Sequence, residues 1–343
     1  MLNAKIYFHQ LKFTVPGGTS RGILKIRPSW FIKIFKENNP SIFGLGECGP
    51  IEGLSIDSFK DIPEKLNEVV KNINHLSQLD LSAFPSIQFG IENAFNDLHN
   101  GGEMVIFKNS FLNGNPIKIN GLIWMGNKDF MLKQVQEKIE NGYSCLKLKI
   151  GAINFEDEIS IIKKIRKKFS SDALEIRVDA NGAFKNDILL KLEHLSRLKI
   201  HSIEQPIATN QWDKMKKLCK ESPIPIVLDE ELIGIKDNKN ELLSYIKPQY
   251  LVLKPTLLGG FKKTREWINE ANKRNIKWWV TSALESNIGL NAISQFCSEF
   301  KLKLPQGLGT GQLYTNNFRS PLFLKGEMIY YQNQKNWDLS FFN

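Results

Sequence analysis

Asp179, Glu204, Asp229 and Lys254 stand 25 residues apart in sequence, and each closes a short apolar run: "IRVDA", "HSIEQP", "IPIVLDE" and "YLVLKP". Two parallel strands need a crossover of a dozen or more residues, usually helical, so this interval is the length of one β/α unit. The rhythm extends on both sides, through "IKINGLIWM" and "CLKLKI" before it, "IKWWVTS" after it and a weaker run at "LKLPQG". Between the runs lie amphipathic stretches: Phe155, Ile159, Ile162, Ile165 and Phe169 recur at helical steps and share one face. Seven or eight such units from residue 117 onward predict a (β/α)8-type barrel rather than an open sheet.

Parallel staves of a barrel present their C-terminal ends at one mouth, where barrel enzymes keep their chemistry. Asp179, Glu204, Asp229 and Lys254 are therefore expected to converge there. Lys147 and Lys149, one unit earlier in "SCLKLKIG", are two apart on a strand and share a face. Three converging carboxylates repel one another unless a cation compensates. With oxygen donors alone, that cation is expected to be Mg²⁺, with Mn²⁺ as a substitute. None of the five histidines falls in this series of strand ends, which argues against zinc. An ammonium group in a partly dry pocket beside a cation loses proton affinity, which suits a lysine for general base work. Singly, an Asp at a strand end is ordinarily a helix cap or an ion-pair partner. Six such residues on five successive strand ends, lysines outside and acids between, are better explained together as a site.

The first 110 or so residues differ. "GILKIRPSWFIKIF" alternates like an antiparallel strand, and "PSIQFGIENAFNDLHNGG" has a helical pattern ending in glycines. We expect an α+β domain over residues 1–112, a barrel over 113–311 and a tail, 312–343, that packs back on the first domain. Hydrophobic residues make up 42% and charged residues 24%, values that exclude disordered and fibrous chains. The net charge of +10 comes from lysines scattered over helix-like segments such as "IIKKIRKK", without the interleaved aromatics of a nucleic-acid motif. It suits a small anionic substrate instead. Four well-separated cysteines, no export layout at "MLNAKIYFHQ" and no membrane-length apolar run lead us to expect a reduced cytoplasmic chain. The oligomeric state is not legible.

"KLK", "RVDAN", "IEQP", "LDEE" and "LKP", in this order, resemble the enolase superfamily and its muconate-lactonising subgroup. "TSALESNIGLNAISQF" and "LPQGLGTGQLYTNNF" resemble, within it, the o-succinylbenzoate synthases. The resemblance implies a modified (β/α)7β barrel under a capping domain, and a reaction in which a base takes the proton α to a carboxylate held by the metal. Asp179, Glu204 and Asp229 would then bind Mg²⁺. Lys149 would be the base, Lys254 a stabilising cation across the ring, and Lys147 a member of the same wall. The implied reaction is dehydration of 2-succinyl-6-hydroxy-2,4-cyclohexadiene-1-carboxylate to o-succinylbenzoate, a step toward menaquinone. The alternative on the same site is an N-acylamino acid racemase or dipeptide epimerase, although no "DxD" stands at 281–285. Weaker expectations are a lid at "VPGGTSRG" with Arg21 reaching the substrate, a second capping segment at "GLGECGP", Ser282 on the succinyl arm, and backbone amides near Gly307 on a substrate carboxylate. Arg177 either tunes the site or pairs structurally.

Overall fold

The computed structural model describes every residue except Ser20, Arg21 and Ala152, and the side chain of Thr19 also lies outside the description. The chain opens with three antiparallel strands, β1 (Leu2–Thr19), β2 (Gly22–Lys36) and β3 (Asn39–Cys48), in sheet order β1-β2-β3. Two helices follow, α1 (Ile62–Lys71) and α2 (Pro85–His99), both with proline in the first turn, where its missing N–H is not needed. Helix α2 lies directly on the sheet. A Cβ added to Gly46 would stand 1.8 Å from the carbonyl oxygen of Gly90, so this contact exists only because both positions lack side chains. Trp30, Ile32, Ile34, Ile62, Leu66 and Ile87 form the core between them.

The barrel follows. A short strand, β4 (Ile117–Lys118), precedes seven parallel strands among the described residues: β5 (Gly121–Ile123), β6 (Cys145–Lys149), β7 (Glu175–Asp179), β8 (Ser202–Glu204), β9 (Ile226–Leu228), β10 (Tyr250–Leu253) and β11 (Lys277–Val280). They are joined by α3 (Lys128–Glu140), α4 (Phe155–Lys168), α5 (Ile188–Arg197), α6 (Trp212–Glu221), α7 (Lys239–Ile246), the single turn α8 (Pro255–Leu258) and α9 (Gly260–Lys273). Helix α10 (Asn287–Cys297) follows β11. Asn127, Asn154 and Ser286 cap α3, α4 and α10 by accepting N–H groups of the first turn. The ring closes through Gln306 and Gly307, which bridge in parallel to Ile119 on one side and Thr281 on the other. The weak run at "LKLPQG" is thus the eighth stave. Ile159, Ile162 and Ile165 of α4 are buried against the strands, as their spacing predicts. This is the modified barrel with a capping domain that the sequence led us to expect.

Two details correct the sequence reading. "IKINGLIWM" is not one strand: Ile117 and Lys118 pair antiparallel with a tail hairpin, β12 (Leu322–Lys325) and β13 (Met328–Tyr331), before the chain enters the barrel. The tail therefore contacts the barrel as well as the first domain, where Phe342 packs with Phe31 and Leu45. Among the described residues, no helix is long and apolar enough to cross a membrane.

Candidate active site

The ends of β7, β8 and β9 bring Asp179, Glu204 and Asp229 together. One carboxylate oxygen from each lies within 4.8 Å of those of the other two, and all three residues are buried. Asp179 pairs directly with Glu204 across the strands, whereas Glu204 pairs with Val227, so Asp229 stands two residues further along. The stagger of the barrel places residues of different register at one level.

The lysines surround this group. Lys147 donates to Glu204 Oε1 at 2.6 Å and lies 2.9 Å from Asp179 Oδ2. Lys149 donates to the same Asp179 oxygen at 2.6 Å, and Lys254 donates to Asp229 Oδ2. Burial opposes ionisation of Asp179, but Lys147 and Lys149 outweigh it and hold the carboxyl well below its usual range. Asp229 is lowered likewise, chiefly by Lys254 against burial. Glu204 goes the other way: burial and the charge of Asp179 push it up despite Lys147. The three acids thus do not ionise alike, and the central one retains its proton most firmly.

Two of the lysines are shifted by the same acids. Burial alone would lower Lys147, yet Asp179, Glu204 and Asp229 raise it, and Asp229 with Glu230 raises Lys254 against the same penalty. Facing bare carboxylates, these two ammonium groups gain proton affinity rather than lose it. The donor set fits a hard divalent ion: three buried groups, oxygen atoms only, within one coordination sphere of each other.

A cavity of about 220 Å³ lies over these residues, between the barrel mouth and the capping domain. Lys147, Lys149 and Lys254 line it from below, Gly22, Ile23 and Leu24 of β2 and Ile51 and Leu54 from above. The expected lid segment and the segment after "GLGECGP" therefore both contribute to its walls. Arg21 lies outside the described residues. Ser282 reaches the cavity, but its hydroxyl donates to Glu285 Oε2 at 2.6 Å and accepts from Thr310 at 2.8 Å, so its proton is engaged within the protein. Gly307 lines the cavity as well, yet its N–H donates to Val280 at 2.9 Å as part of barrel closure. Arg177 lies in the barrel interior, bonded to Glu175 at 2.6 Å and stacked 4.2 Å from the Trp279 ring centroid, a structural pairing.

Residues 131–329 match the family model "Enolase C-terminal domain-like". The chain belongs to the enolase superfamily. An o-succinylbenzoate synthase from Desulfotalea psychrophila is 41% identical over 356 aligned residues, covering 93% of this chain and 96% of that one. The solved structure of MenC from Desulfotalea psychrophila LSv54 superposes with a TM-score of 0.85 at 38% identity, covering 96% of this chain and 99% of that one. A dipeptide epimerase from Enterococcus faecalis V583 shares the fold, with a TM-score of 0.84 over 96% of each chain at 18% identity.

In this superfamily member several site residues carry no signal of spacing. Asn181, held at φ 44°, accepts from Lys149 at 2.8 Å and donates to Glu230 at 2.8 Å. The "DAN" tripeptide hints at it, since asparagine tolerates the left-handed region. Glu285, fully buried, accepts from Thr256, Ser282 and the Ala283 N–H and so fixes the turn after β11. Glu47 of β3 reaches into the barrel, taking Ser286 N–H at 3.0 Å, Ser286 Oγ at 2.5 Å and Gly289 N–H at 3.1 Å at the start of α10. Arg27 joins both sides, donating to Gly49 at 2.6 Å and to Ala283 at 2.8 Å. Such contacts cross between the domains and leave no local pattern in the sequence.

Proposed function

We propose that this chain is an o-succinylbenzoate synthase, dehydrating 2-succinyl-6-hydroxy-2,4-cyclohexadiene-1-carboxylate to the aromatic product used for menaquinone. The observation that carries the reading is the juxtaposition of the buried Asp179, Glu204 and Asp229 oxygens with lysines on either side. The full-length likeness to a synthase selects this reaction among those the site could run. Asp179, Glu204 and Asp229 would hold Mg²⁺, which when bound would supply positive charge for the developing enediolate and offset the carboxylate charge that raises Lys147 and Lys254.

The chain's own residues do the rest. Lys149, as the free amine, takes the proton α to the substrate carboxylate, and the C–H electrons move toward that carboxylate. They return to the ring as the bond to the 6-hydroxyl breaks. The ammonium of Lys149 gives its proton to the departing hydroxide, so the products are water and the benzenoid ring, with no redox change. Lys254 remains an ammonium on the opposite side and stabilises the charge spread over the ring. Lys147, between Glu204 and Asp179, fixes the acids rather than reaching the reacting carbon. Asn181 orients Lys149. Residues 22–24 and 51–54 exclude water over the cavity. Because aromatisation drives elimination, placing one base and one charge is most of the task.

A second reading has one observation in its favour. Lys149 and Lys254 have equally accessible side chains, 12% each, and stand on either side of the acids. That symmetry suits proton exchange on two faces, so racemisation of N-acylamino acids is proposed as a side activity. The four cysteines are all free thiols, which suits a reducing cytoplasm. Loss of the cyclohexadiene absorbance on adding enzyme and Mg²⁺, and its persistence with chelator, tests the main reading. An enzyme inert to that substrate at full metal loading would overturn it.

A further inference from the structure

Asn181 stands two residues past Asp179, where the chain leaves β7, and its backbone is held from two directions. Its own N–H donates to Asp179 Oδ1 at 3.0 Å, and the next one, that of Gly182, donates to the Gln205 carbonyl at 2.7 Å. The carboxamide therefore starts from a fixed point. Which of its two ends faces which neighbour is a separate matter.

Two neighbours of opposite kind decide it. Glu230, the residue after Asp229, presents Oε1 to Asn181 Nδ2 at 2.8 Å, and Lys149 presents Nζ to Asn181 Oδ1 at 2.8 Å. A carboxylate only accepts hydrogen bonds, so the amide NH₂ must face Glu230 and the amide oxygen is left for Lys149. The consequence falls on the lysine as a free amine, which has two N–H bonds and one lone pair. An oxygen beside it takes an N–H and leaves the lone pair free; the reversed carboxamide would donate to that lone pair and occupy it. Lys149 also donates to Asp179 Oδ2 at 2.6 Å, but that oxygen belongs to the acid group that fits a divalent ion. Asn181 lies outside that group, so its hold on Lys149 does not compete with an ion. Lys254 differs, since among the described residues its hydrogen bond goes to Asp229 and to no amide.

We propose that Glu230 is a positioning residue for the dehydration: by accepting from Asn181 it fixes which end of that carboxamide meets Lys149, and so keeps the lone pair of the base free for the α-proton of the substrate. This rests on the reading given under Proposed function. Wild-type turnover of the cyclohexadiene is therefore measured first, and its absence removes both. With turnover established, Glu230→Ala is expected to lower kcat by about 10- to 100-fold while KM changes by less than about 3-fold, as for a misdirected base in an intact binding site. Asn181→Ala is expected to lose a similar amount. The double variant is the deciding measurement: because both residues act through one contact, its kcat is expected to lie within about 3-fold of that of Asn181→Ala. The melting temperature gained on adding Mg²⁺ is expected to be the same in all four proteins. Should Glu230→Ala fail to fold, Glu230→Gln is read in the same cycle. Its side chain keeps the shape but can also donate, so it no longer dictates how Asn181 faces, and a loss of about 3- to 10-fold that vanishes in the Asn181→Ala background is expected. A kcat for Glu230→Ala within about 3-fold of wild type would overturn the role of Glu230. So would a loss that persists undiminished in the Asn181→Ala background, which would place its effect on Lys254, whose ammonium form the same charge favours, or a smaller Mg²⁺ gain, which would place it on the acids.

Discussion

Lys149 and Lys254 bond to different members of the acid group: Lys149 to Asp179 at 2.6 Å, Lys254 to Asp229. Each ammonium group therefore neutralises one outer acid, and Lys147 serves the central one. Replacing either outer lysine removes one contact to the acids and leaves the acids in place.

Lys149→Ala is expected to lower kcat for dehydration by about 100- to 10,000-fold, the range of a lost general base. Lys254→Ala is expected to lose as much through charge. Mg²⁺ still binds both, measured by calorimetry. Residual turnover within a few-fold of wild type for Lys149→Ala would remove it from the base role.

Glu204→Gln removes the central acid without changing its shape. We expect it to fold, since Gln keeps an acceptor for Lys147, but to lose the rise in melting temperature on adding Mg²⁺. A rise equal to that of wild type would show that the ion sits elsewhere.

Glu47 takes N–H groups of Ser286 and Gly289, the Ser286 hydroxyl and the Ser29 hydroxyl at 3.0 Å, and has no solvent exposure. Glu47→Ala leaves those donors buried and unpaired and is expected to destabilise by about 3–5 kcal/mol in urea unfolding. Glu47→Gln costs less. Because Arg27 bridges the same elements, kcat/KM is expected to fall in both variants even when they fold.

Asp97 supports the turn after α2 by accepting the N–H groups of Leu45 at 3.0 Å and Val105 at 3.1 Å. Burial pushes its carboxyl up to about 7, against those bonds, and burial likewise pushes Asp57 up to about 6 against its bonds to Ser86. The unfolded chain releases both protons near pH 4. Between about pH 4 and 7 the native state therefore holds more protons, and stability falls as pH rises through this window. Asp97→Asn is expected to flatten the fall, by up to about 4 kcal/mol for a carboxyl moved this far. Melting curves of both proteins at pH 5, 6, 7 and 8 check it. A constant difference across that range would count against it.

The acid group and its lysines were legible because a β/α unit repeats, so equal spacing becomes adjacency around a ring. The two-residue offset that brings Asp229 level with Glu204 was not, since stagger belongs to closure rather than to any one strand. The rise in the proton affinity of Lys147 toward the bare acids was not legible, because only the three-dimensional arrangement shows three carboxylates facing it at once. Ser282 and Gly307 were found at the cavity, but the sequence could not reveal that their hydrogen bonds are already engaged by Glu285 and Val280. Glu47 and Glu285 were missed because each acts on residues remote in sequence, Glu47 on Ser286 and Gly289 and Glu285 on Thr256.

The eighth stave is two residues long, and Gly307 gives its N–H to Val280 while its carbonyl takes the N–H of Ser282. A Cβ on Gly307 would come 2.1 Å from Thr281 Oγ1. The stitch that shuts the cylinder is thus also the rear surface of the chamber. Remodelling which molecules this enzyme accepts must proceed by exchanging side chains around that stitch, since lengthening or bulking it would open the cylinder itself.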